Sequence, residues 1–172
     1  MEPGEALSTA AQIAVALAGF AGVVVVFRRE SVHEWAAIDK YRLRLLLMNS
    51  ILPLALCTIG MLMLTIKPVL PEIWRWCSGV TLVIVLPFGI MTTRGFRRLD
   101  PQQLQSVRGT GFGFYLFGIL GTGAALLQFC NIAILSAFWP FFAGIIVHLL
   151  AAMFQFARII LLPPEGLQSD QD

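Results

Sequence analysis

Charge is what this 172-residue chain has least of: 13% of its residues are Asp, Glu, Lys or Arg, about half the share in an ordinary soluble domain. With 58% hydrophobic residues and a mean hydropathy of +0.80, the apolar surface exceeds what one water-soluble core of this size can hide. Acidic residues are missing where they would matter most. Every Asp and Glu lies outside the long apolar runs, which argues against a pump built on a buried carboxylate. Cysteine is also sparse. Cys57, Cys77 and Cys130 are odd in number and lack metal-ligand spacing, so they read as buried apolar residues, a Cys77–Cys130 disulfide being the alternative. His33 and Glu34 have no second ligand pair nearby, no HExxH occurs, and no nucleophile sits beside a base and an orienting acid. Neither a metal site, a cofactor nor an enzyme is expected. A net charge of +2 gives no reason to expect nucleic acid as a partner.

What the chain has is a series of apolar runs. Residues 6–27 are uncharged and, at about 1.5 Å per residue, reach roughly 33 Å, enough to cross a hydrocarbon core of about 30 Å. Residues 45–66 and 76–93 form a second and a third run. The uncharged stretch from 109 to 157 is too long for one span and breaks near Pro140, because proline lacks a helix donor and restricts its predecessor. It therefore reads as a tight hairpin, 112–135 followed by 138–162, with 163–172 as a polar tail. The expected fold is all-α: a single polytopic transmembrane bundle of five spans. The five do not divide into the inverted halves of a secondary transporter.

The basic residues order these spans. Alternating helices leave Arg28, Arg29, Lys40, Arg42, Arg44, Arg94, Arg97, Arg98, Arg108 and Arg158 on one side, and only Lys67 and Arg75 on the other. By the positive-inside rule the N-terminus is expected outside and the C-terminus in the cytoplasm. Trp74, Trp76 and Trp139 fall at the outer ends, and Trp35 near the inner surface, as in an aromatic belt. The first span follows an acidic start and precedes Arg28-Arg29 without a small-residue cleavage pattern, so it is expected to stay in the mature protein. In size and charge layout the chain resembles small multi-pass proteins of bacterial inner membranes.

Two connecting segments carry more pattern. In "RRESVHEWAAIDKYRLR", Ser31 and Glu34 make a capping box, and Trp35, Ile38 and Tyr41 share an apolar side, which predicts a short interfacial helix before the second span. In "SVRGTGFGFYLFG", Gly109, Gly111 and Gly113 alternate, but neither the dinucleotide fingerprint nor the P-loop pattern is met. A potassium-filter reading fails on the threonine position and on the four nearby arginines. The glycines instead let the fourth helix approach its neighbours. Its amino end with Arg94, Arg97, Arg98 and Arg108 is a candidate site for an anionic lipid headgroup.

Within the spans the polar residues are few enough to treat singly. Gly144, His148, Ala151, Gln155 and Arg158 line one side of the fifth helix, and Gly118, Gly121, Ala125 and Gln128 one side of the fourth, with Asn131 a turn further. The antiparallel hairpin puts Gln128 at the depth of Gly144, so a network of Gln128, Asn131 and His148 is expected. His148, Gln155, Gln128, Asn131 and Arg158 are the candidates for a polar path. Pro53 and Pro87 are hinge candidates, with Asn49 placed to relieve the break at Pro53. Ala10, Ala14, Ala18 and Gly22 form a small-residue ridge for helix contact or self-association. The leading expectation is a homo-oligomeric inner-membrane channel. A non-conducting scaffold subunit and a lipid-binding membrane protein are its rivals.

Overall fold

A computed structural model of the chain describes residues 2–27, 33, 35, 37–66, 72–97 and 110–161. These form α1 (Pro3–Phe27), α2 (Ala37–Thr65), α3 (Ile73–Arg97), α4 (Thr110–Cys130) and α5 (Phe138–Leu161), with a π-helical turn, Asn131–Leu135, closing α4. Among the described residues, five helices are long and apolar enough to cross a membrane. The fold is all-helical, as expected from the runs.

The boundaries differ from the uncharged stretches for physical reasons. α1 starts at Pro3, because a proline in the first turn sacrifices only an N–H that has no intrahelical partner. α2 starts eight residues before the run at 45, since Asp39 and Arg42 neutralise each other at 3.1 Å with both side chains buried. Residues 37–44, which hold Ile38 and Tyr41 of the expected interfacial helix, are thus the first two turns of α2. Ser31 and Glu34 lie outside the described residues. Trp35, expected at the membrane surface, is buried, as is Ile38. α3 runs on to Arg97, its last-turn arginines Arg94 and Arg97 complementing the negative end of the helix dipole. The break in the second hairpin falls at Ser136, whose backbone is left-handed (φ 47°, ψ 34°). Pro140 stands in the first turn of α5.

Helices consecutive in the chain run antiparallel. The start of α1 meets the end of α2, where Gly4 faces Leu64. The Tyr41 hydroxyl near the start of α2 donates to the Thr92 carbonyl at the end of α3 (2.9 Å). Asn131 at the end of α4 bonds Ser78 near the start of α3. One end of the bundle therefore gathers Lys40, Arg42, Arg94, Arg97 and Arg158, and the other Trp74, Trp76 and Trp139. We call them the basic end and the tryptophan end.

α2 and α5 are central, with α1 on one flank and α3 and α4 on the other. Leu7, Gly60 and Phe141 meet where α1, α2 and α5 converge: a Cβ on Gly60 would lie 2.9 Å from Leu7 and 3.2 Å from Phe141. The α1 ridge is only partly the expected one. Ala6, Ala10, Ala14, Leu17 and Ala21 are buried within the chain, and Gly22 is exposed, because a stripe with a period of 3.6 drifts off a strict spacing of four.

Candidate functional site

α3 and α4 are locked to α5 at the tryptophan end. Asn131 is fully buried, and its amide does three things. Its Oδ1 accepts from the Ala137 N–H (2.9 Å), and its Nδ2 donates to the Ala137 carbonyl (3.0 Å) and to Ser78 Oγ (2.7 Å). The side chain thereby closes the π-turn and ties it to α3. Arg75 adds to the lock, donating from Nε to the Ile132 carbonyl and from Nη1 to Glu72 (2.7 Å). Gln128 lies over Gly144, where a Cβ would come within 2.7 Å of its Nε2. That nitrogen donates to the Pro140 carbonyl at 2.6 Å. Trp74 stacks on Phe141, with ring centroids 5.8 Å apart.

Towards the basic end the same helices separate around a cavity of about 980 Å³ walled by α2, α3, α4 and α5. Glycine makes the space. Gly89, Gly118, Gly121 and Gly123 all line it, and a Cβ on any of them would meet nothing within 4 Å. The α3 wall runs from Val85 to Arg97, an axial length of about 18 Å. Ile90, Ile119 and Leu126 on the rim are exposed, so the cavity opens on the side of the bundle. At the basic end Phe96 of α3 stacks on Phe114 of α4, with centroids 3.7 Å apart. Gly113 in the first turns of α4 is needed there, since a Cβ would fall 2.4 Å from the Phe154 ring. The alternating glycines thus begin a membrane helix, and Gly109 lies outside the described residues.

Some polar groups of this wall are already engaged, while Gln155 Oε1 is buried without a hydrogen-bond partner among the described residues. Thr93 and Thr122 donate to the carbonyls of Gly89 and Gly118, one turn back in their own helices, the usual way a hydroxyl is satisfied inside a helix. His148 Nδ1 lies 2.8 Å from Asn49 Oδ1. The direction of that bond follows from its neighbour: Asn49 Nδ2 donates to the Leu45 carbonyl at 2.9 Å, leaving Oδ1 as the acceptor, so His148 Nδ1 carries the proton. Arg94 and Arg97 line the cavity at its basic end and are exposed.

The five path candidates are not brought together. Gln128 and Asn131 belong to the lock at the tryptophan end, and neither bonds His148, which pairs with Asn49 instead. The expected network is therefore two separate sites. Gln155 lines the large cavity and, with Arg42, Tyr41 and Arg158, a second one of about 20 Å³, room for a single water. Arg158 also sits over the Phe154 ring at 5.6 Å. Pro53 and Pro87 both stand inside continuous helices. Pro53 is fully buried, whereas Pro87 is exposed on the cavity-lining helix. Asn49 bonds Leu45 and His148, not the carbonyl that Pro53 frees. Of the anionic-lipid candidates, Arg94 and Arg97 are placed, and Arg98 and Arg108 lie outside the described residues. All three cysteines are free.

Sequence reasoning missed Asn49 as the partner of His148. The two are 99 residues apart, and only their shared rarity as polar residues within spans marks them. Of the α4 glycines, Gly113 makes the close approach expected of the alternating set, whereas Gly118, Gly121 and Gly123 border open space. Among the described residues no three His, Cys, Asp or Glu side chains form a group that could hold a metal. Compared with family models, with curated proteins and with solved structures, the chain matches none. Its functional reading rests on its own residues.

Proposed function

We propose that this chain is a multi-pass membrane protein that binds an anionic amphiphile of the bilayer in the cavity between α3, α4 and α5. The acidic head is held by Arg94 and Arg97, and an acyl chain lies along the glycine-lined wall. The observation that carries the reading is one of length and charge. The cavity is about 18 Å long, slightly more than one leaflet of a hydrocarbon core of about 30 Å. It opens sideways towards lipid and has two guanidiniums at one end only. A guanidinium pairs bidentately with carboxylate or phosphate. The ten-to-two division of basic residues supports an orientation with this end in the cytosol, in an inner or plasma membrane. The pore reading relied on a shared polar side of α4 and α5. With Gln128 and Asn131 bonded into the turn, the geometry supports the amphiphile better.

The test is binding of stearate and of uncharged methyl stearate to the purified protein in detergent. Stearate is expected to bind tighter than the ester. Joint replacement Arg94→Gln and Arg97→Gln is expected to weaken stearate about tenfold or more, from about 1 kcal/mol per cation near a surface, and to leave the ester unchanged. Equal binding of acid and ester, or a double variant that binds stearate normally, would overturn the proposal.

A further inference from the structure

His148 has a second ring nitrogen that the fold does not use. Its Nδ1 proton is fixed by Asn49 Oδ1 at 2.8 Å, and Asn49 is itself fixed by the Leu45 carbonyl at 2.9 Å. A neutral imidazole with Nδ1 protonated presents a lone pair on Nε2. The ring lines the cavity and packs near Phe88, with centroids 6.0 Å apart. No protein group bonds Nε2 among the described residues. An acceptor left facing an apolar cavity is costly unless its occupant supplies a donor.

We infer that the cavity selects an amphiphile with a hydroxyl on its chain, which donates to His148 Nε2. This rests on the amphiphile reading above and adds the chemical class of the chain. The spacing also follows from the helix. Phe88, beside the imidazole, precedes Arg94 by six residues on α3, so the hydroxyl lies about 9 Å further into the membrane than Arg94 along the axis. The occupant is therefore acidic at its head and hydroxylated part-way down one acyl chain. An ordinary saturated chain leaves the ring acceptor unmet. The α3 and α4 side chains opposite, among them Phe88, Phe117 and Ile119, accommodate the hydrocarbon on either side of the hydroxyl.

The experiment compares 10-hydroxystearate with stearate on the full chain in detergent, by competition against one fluorescent fatty acid. The hydroxylated acid is expected to bind about five- to tenfold tighter, the worth of one net hydrogen bond. His148→Phe is expected to abolish that preference, so that the two acids bind the variant alike. His148→Gln, which keeps an acceptor, is expected to restore part of it, so a folding defect in the Phe variant does not decide the outcome. Equal binding of the two acids by the wild-type protein overturns this inference and leaves the amphiphile reading standing. A preference that survives in the Phe variant overturns it as well. If neither acid binds, the amphiphile reading falls first.

Discussion

Three side chains show how differently a polar group behaves in this bundle. Asn131 makes bonds that only its own amide geometry can complete, to both polar groups of Ala137 and to Ser78. Asn131→Ala orphans the half-buried Ala137 N–H and is expected to lower stability by about 2 kcal/mol, read as a fall in the thermal unfolding midpoint in detergent. Asp39 and Arg42 form a buried pair, with relative exposures of 8% and 5%. Asp39→Asn removes one charge of this buried pair, at a cost of about 3 kcal/mol. Arg75 and Glu72 form a closer pair at 2.7 Å, but they are 39% and 51% exposed. Glu72→Gln is expected to cost less than about 1 kcal/mol. If the two acid-to-amide changes were equally destabilising in the same unfolding assay, burial would not be what distinguishes these pairs.

Among the elements, glycine separates contact from cavity, and the two roles call for opposite mutational outcomes. Gly60→Ala and Gly113→Ala drive a methyl group into Leu7 and Phe154 respectively, and each is expected to cost about 1–3 kcal/mol. Gly118→Leu and Gly121→Leu place side chains in open space. Stability is expected to hold or to rise by up to about 1 kcal/mol through helix propensity, while stearate binding falls at least tenfold. A stability loss at all four positions would mean that the cavity is not open. The sequence could not draw this distinction, since both kinds of glycine recur at helical spacing on one helix. It did show the helices themselves, because a span needs only length and the absence of charge. It misplaced the start of α2, because a neutralised Asp–Arg pair is indistinguishable in sequence from two solvated charges.

Taken whole, the bundle is rigid where α1, α2 and α5 share a core of Leu7, Leu56, Phe141 and Ile145, and open where α3 and α4 leave it. His148 and Gln155 were legible as unusual residues of α5, since polar groups are rare in spans. Their separation from Gln128 and Asn131 was not, because it depends on which way each amide turns at the hairpin. If all five helices cross the membrane, the two ends of α1–α5 lie on opposite faces, and tags before α1 and after α5 are expected on different sides, the former outside. The most direct measurement of the central claim is photo-crosslinking of the reconstituted protein with stearate carrying a diazirine mid-chain, followed by peptide mapping. Adducts are expected on α3 between 85 and 97 and on α4 between 113 and 126, and to be lost in Gly121→Leu. Adducts spread evenly over the exposed faces of α1 to α5, and unchanged in that variant, would contradict the account.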